Sequence, residues 1–170
     1  MHRQEFQRTR IPDEELNRFS TILCFVGLLR PHTLPQLCPS SFTIVTPWKT
    51  IPCRGDAHQF KRMLQRVTLQ KEFLGFYIQF HSKTIKQARA YLPNLCALGH
   101  RFEAMCPMKA LLQLASQGMV KKGFLKNVNK GTRFSTYLKY VTNIRENIAP
   151  YALRIGGRTW LLTKGMDRQR

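Results

Sequence analysis

Residues 74–93, LGFYIQFHSKTIKQARAYLP, carry two extended patterns with a break between them. From Leu74 to Phe80 the apolar Leu74, Phe76, Ile78 and Phe80 alternate with Gly75, Tyr77 and Gln79, the period of two expected of a strand with one buried face. HSKTIK interrupts the alternation with polar side chains, and QARAYL resumes an extended segment until Pro93 and Asn94 stop it. The stretch reads as a β-hairpin with Lys83 close to its tip. Two strands alone are marginal in water, so the fold depends on what flanks the hairpin.

Downstream the pattern turns helical. Pro107 suits a first helical turn, Met108, Leu111, Leu112 and Ala115 form an apolar stripe, and Gly118 is placed to end it. A second helix is predicted from a Thr132 cap through Phe134, Tyr137, Leu138, Val141, Ile144 and Ile148, and a third from near Pro150 to near Gly165. Upstream, Phe19, Ile22, Leu23, Val26 and Leu29 recur at helical spacing after Asn17 or Ser20 as cap, and Arg30 closes that helix because Pro31 disfavours helical geometry before it. A cation there would complement the helix dipole. Prolines 31, 35, 39, 47 and 52 then limit the chain to a loop-rich connection with a brief strand at Phe42–Thr46. The order predicts an α+β fold: a mostly helical single domain with a small antiparallel sheet, without internal repeats or low-complexity linkers.

The 170 residues, 43% of them hydrophobic, suffice for one core. Lys and Arg number 28 against 9 acidic residues, a net charge of +19 spread over the chain rather than confined to a tail. Solubility alone does not call for such a charge, which implies a polyanion partner, with nucleic acid first because phosphates reward dispersed Lys and Arg. An anionic membrane surface is the competitor, and no long amphipathic basic helix stands out to favour it. The polar start MHRQEFQRTR and the short apolar run Ile22–Leu29 predict neither a signal peptide nor a membrane span. Five cysteines at 24, 38, 53, 96 and 106, without CxxC spacing, read as reduced, intracellular and mostly buried thiols. Cys96, His100 and Cys106 lack a fourth ligand at suitable spacing, so no metal is expected, and no cofactor is implied.

Three cations stand out by position: Arg30 beyond an apolar helix, Lys83 at the hairpin tip, and Arg154 in APYALRIGGRTWLL, residues 149–162, where it leads into Gly156 and Gly157. In this order the segments resemble the tyrosine recombinases, the DNA integrases of phages and mobile elements. CFVGLLRPHTL looks like that family's first arginine box, YIQFHSKTIKQARAYLPN like its lysine-bearing hairpin, CPMKALLQLASQG like the helix that follows, and IAPYALRIGGRTWLLTKGMDRQ like its second box. The likeness runs from about Phe19 to the C-terminus and is strongest to integrases of eukaryotic mobile elements.

The resemblance implies an integrase-like catalytic domain over 19–170 behind a basic polar segment, 1–18. Arg30 and Arg154 would hold the non-bridging oxygens of a phosphodiester, because bidentate guanidinium groups stabilise the charge that grows there in the transition state. Lys83 would protonate the leaving 5′ oxygen as general acid. Gly156 and Gly157 would let the helix carrying Arg154 pack closely. Lys86, Arg89, Lys121, Lys122, Lys126, Lys130, Arg133 and Arg158 are the further DNA-contacting candidates. Two positions depart from the family pattern: Tyr151 stands where the second box usually opens with histidine, and Thr33 stands where a glutamate usually supports the first arginine. The family's last box and its nucleophilic tyrosine would lie beyond Arg170, so a domain unable to cleave DNA unaided, monomeric in solution, intracellular, and nuclear if eukaryotic, is expected.

The expected function is that of a DNA-binding, recombinase-like domain acting on double-stranded DNA. A non-catalytic basic nucleic-acid-binding module is the alternative. An RNA-binding protein of ribosomal type ranks third, because most Phe and Tyr occupy core-like positions and LKNVNKGTRF is the only basic loop with aromatics at its edges.

Overall fold

A computed structural model describes residues 14–69, 73–126, 128, 137–139 and 150–163. Its elements in chain order are α1 (Glu14–Phe25), β1 (Phe42–Val45), β2 (Thr50–Pro52), α2 (Ala57–Leu69), β3 (Gly75–Phe80), β4 (Ala88–Pro93), α3 (Pro107–Ser116) and α4 (Pro150–Thr163). Short 3-10 turns occupy Pro31–Gln36, Pro39–Ser41, Leu95–Leu98 and His100–Met105. The result is an α+β single domain with one four-stranded antiparallel sheet, in the order β2-β1-β3-β4.

The hairpin forms as its alternation demands. Tyr77 pairs with Tyr91 and Phe76 with Leu92, while Phe42 and Ile44 of β1 lie opposite Ile78 and Phe76. One face of the sheet therefore holds Phe42, Ile44, Phe76, Ile78 and Leu92, all fully buried. The helices cover it: α3 begins with Pro107 at its first position, packs against α1 and α2, and buries Met108, Leu111, Leu114 and Ala115. Gly118 takes a left-handed φ of 68° just past that helix, which a side chain would strain.

Three expectations need correction. First, α1 starts at Glu14, and Asn17 and Ser20 lie inside it. Glu14 and Glu15 in the first turn suit the positive end of the helix dipole, and the Ser20 hydroxyl donates back to the Leu16 carbonyl at 2.8 Å. Second, α1 ends at Phe25, well before Arg30. The chain leaves through Gly27, where a Cβ would lie 2.8 Å from the Leu23 carbonyl oxygen, and through Leu28, which adopts a left-handed φ of 55°. Arg30 is then extended, as a residue before proline should be, and is no partner of the helix dipole. Third, β2 and α2 appear where the sequence reading offers only loop or no element. Thr46 closes the β1–β2 turn by donating its hydroxyl to the Lys49 carbonyl at 2.8 Å and accepting the Lys49 N–H. In α2 the buried Phe60, Leu64 and Val67 follow helical spacing, so its apolar face belongs to the core.

The predicted 132–148 helix lies outside the described residues except at 137–139, which are helical, with Tyr137 and Leu138 buried. Helix α4 spans nearly the predicted range and docks on α1 at very close quarters. A Cβ on Gly157 would sit 1.9 Å from the Phe25 carbonyl oxygen, whereas one on Gly156 would meet only the Phe25 ring at 3.5 Å. Gly157→Ala is therefore expected to lower stability by about 1–3 kcal/mol, because the helices must separate. Gly156→Ala should instead raise it by about 0.5–1 kcal/mol through a stiffer unfolded chain and better helix propensity. Urea unfolding of the two variants checks this opposite pair of signs.

Candidate nucleic-acid interface

Each predicted cation is delivered by a local device. Ser82 shapes the hairpin tip: its hydroxyl donates to the Ile85 carbonyl at 3.1 Å and accepts the Ile85 N–H at 2.9 Å, which leaves Lys83 and Thr84 at the apex. Lys83 is exposed there. At the hairpin root the His81 ring nitrogen Nδ1 bonds the Lys86 carbonyl, and Gln36 grips the His81 backbone on both sides. The Gln36 amide donates to the His81 carbonyl at 3.4 Å, and its oxygen accepts the His81 N–H at 3.1 Å. Gln36 ends the 3-10 turn that begins directly after Arg30, so this side chain ties the Arg30 segment to the Lys83 hairpin.

Arg154 sits half-buried on α4, one helical turn before Gly157. That spacing puts it beside the stripe that faces α1, where the Phe25 and Trp160 rings lie 5.9 Å apart. Arg30 is exposed in the segment that follows α1, and its carbonyl accepts the Thr33 N–H at 2.9 Å. Thr33 is buried. Two contacts, Gln36 with His81 and Gly157 with Phe25, thus join the three cation-bearing segments through neighbouring elements. Among the described residues the ion pairs are those of Glu103 with Lys109 at 3.1 Å and with His100 at 3.3 Å. No described carboxylate pairs with Arg30, Lys83 or Arg154.

The other candidates divide by place. Lys86 and Arg89 are exposed on the hairpin, and Arg158 is exposed one turn beyond Arg154. Lys121, Lys122 and Lys126 are exposed on a loop anchored by buried Val120, Phe124 and Leu125. Lys130, Arg133 and the side chain of Tyr151 lie outside the described residues. Tyr77 and Tyr91 stand on the sheet face turned away from the core, where the alternation of 74–80 puts Tyr77. Burial, and then the neighbouring Tyr77, raises the Tyr91 phenol above its ordinary value, and burial raises that of Tyr137.

Sequence reading missed Gln36 and a cleft of about 260 Å³ beside it, whose walls include Cys38, Ser41, Phe80 and His81. No periodicity or spacing marks these residues, because they meet only when the hairpin folds against the proline-rich stretch. Burial pulls the Cys38 thiol up, but hydrogen bonds from Ser40 and Ser41 outweigh it and leave the group below the ordinary thiol value. Burial pushes Cys24 and Cys53 up to about 12 and Cys96 to about 11. Cys106 donates to the Asn94 side chain at 3.4 Å, and among the described residues no three His, Cys, Asp or Glu side chains gather as metal ligands. Nor is any helix among them long and apolar enough to cross a membrane.

No protein-family model, curated protein or solved structure matches the chain.

Two outcomes are expected. Iodoacetamide near pH 7.5 should alkylate Cys38 first and leave Cys24 and Cys53 unmodified until the protein unfolds, because the thiolate is the reactive form. Mass spectrometry of a time course reads the order. Gln36→Ala should speed amide exchange at His81 by about fivefold, the scale of losing a hydrogen bond worth roughly 1 kcal/mol, while core amides stay protected.

Proposed function

We propose that this chain is a DNA-binding domain of the tyrosine-recombinase kind, which grips the backbone of double-stranded DNA through Arg30, Lys83 and Arg154. The observation that carries the reading is the linkage of their three segments by Gln36 and Gly157, with no acidic partner for any of the three among the described residues. The net charge of +19 supplies the long-range attraction.

In this reading the two guanidinium groups bracket the non-bridging oxygens of one phosphate, and the exposed Lys83 approaches the bridging 5′ oxygen from the hairpin side. Fixed cations favour the more highly charged pentacoordinate state over the ground state. Strand cleavage also needs a nucleophile, and burial holds the phenols of Tyr91 and Tyr137 further from the ionised form than an ordinary tyrosine. That observation favours, as the second reading, a module that binds DNA without cutting it. In both readings the surrounding contacts come from Lys86, Arg158, Lys121, Lys122 and Lys126, and from Lys130 and Arg133. The protein would act as a monomer inside the cell, in the nucleus of a eukaryote.

The test is equilibrium binding to duplex DNA over a salt series. Wild type should show a steep salt slope. The triple variant Arg30→Ala, Lys83→Ala, Arg154→Ala should lose about 10²-fold or more in affinity, while its slope flattens by only about 0.9, the value for one phosphate contact. Replacing Lys121, Lys122 and Lys126 should flatten the slope by roughly 2.7, since they meet separate phosphates. Equal behaviour of the two triples would remove the recombinase-like site and leave the basic module.

A further inference from the structure

The sheet face turned away from the core is built for contact rather than for packing. Its cross-strand neighbours are Tyr77 with Tyr91 and Gln79 with Arg89. The two phenol rings lie 5.1 Å apart and tilted by 51°, and the Arg89 guanidinium carbon stands 4.4 Å over the Tyr77 ring. Tyr91 is 43% exposed, and Gln79 and Arg89 are exposed beside it. The Tyr91 hydroxyl donates to the Leu74 carbonyl at 3.0 Å, which fixes the ring without covering it. None of the four strands, nor the HSKTIKQ connection between β3 and β4, contains a carboxylate.

We infer that this face is a second nucleic-acid site, a stacking platform for an unpaired base of a DNA strand, with Arg89 and Lys86 meeting the phosphates on either side. Exposed aromatic rings flanked by cations bind single strands because every base has a π-face and every nucleotide a negative charge. A duplex hides its base faces, so the occupant must be unpaired. The ring held by Leu74 loses little freedom on binding, which favours Tyr91 over the more buried Tyr77 as the base-contacting surface. Arg89, layered on Tyr77, presents a second flat group of the kind that stacks on bases. DNA rather than RNA follows from the proposed function, on which this inference rests, because Lys83 and Lys86 leave the same hairpin. A strand opened next to the gripped duplex would pass over this face.

The test uses the full chain with fluorescein-labelled dT12, a labelled mixed-sequence duplex and labelled U12. Tyr91→Ala should weaken binding of dT12 about tenfold or more and that of the duplex by less than about twofold, whereas Tyr91→Phe should keep dT12 binding near wild type. Arg89→Gln, a fully surface change, should weaken dT12 binding in the same direction should Tyr91→Ala prove unfolded. Equal losses for dT12 and duplex, or no loss for dT12, would overturn the platform, and so would tighter binding of U12 than dT12. Failure of wild type to bind the duplex would instead strike the proposed function, so the two failures are read on different ligands.

Discussion

Phe42 holds the layers together. Its fully buried ring meets Phe60 edge-on at 5.7 Å, and Phe76, Phe124 and Phe19 at 5.8, 6.3 and 6.4 Å. One strand residue thereby touches α1, α2, β3 and the basic loop near 124. Tilted and edge-to-face rings of this kind gain electrostatic attraction beyond their burial, and they tolerate little sliding. The sheet therefore cannot shift relative to its cover without breaking the three contacts of Phe42 with Phe19, Phe60 and Phe124.

Two smaller contacts finish the arrangement, and both use unusual chemistry for their place. Gln36 behaves like a short piece of strand, meeting one N–H and one carbonyl of the hairpin backbone. Gly157 removes a side chain so that one helix can rest on the backbone of another. A polar side chain in the first case and a missing one in the second set the distances between cation-bearing segments. Neither contributes much buried area, and both act through geometry.

The sequence made some of this legible and hid the rest for identifiable reasons. Alternation in 74–80 and the break at HSKTIK located the hairpin and put Lys83 at its tip, because strand period is a local property. Pro107 and Pro150 marked the starts of α3 and α4 in the same way. The limits of α1 went astray because Asn17 and Ser20 resemble caps while Leu16 and Ile22 continue the helix on either side. Its end depends on Gly27 and Leu28, whose left-handed exit the apolar spacing of Val26 and Leu29 conceals. In α2 the stripe Phe60, Leu64, Val67 is present but diluted by Lys61, Arg62 and Arg66, directly after a proline-rich stretch. The pairing of Gln36 with His81 spans 45 residues and leaves no trace in spacing. The alternation in 74–80 already set Tyr77 off the core face, but strand period carries no cross-strand register, so its pairing with Tyr91 left no trace in the sequence.

Among the described residues the sheet has two outer strands, and each is blunted. At one rim β2 is three residues long and closes on Pro52, and at the other β4 ends on Pro93. Proline removes a backbone donor, so both rims are poor templates for an added strand. Unguarded strand edges join from molecule to molecule as concentration rises, so short, proline-ended rims keep copies of this chain from sharing one sheet when they crowd together.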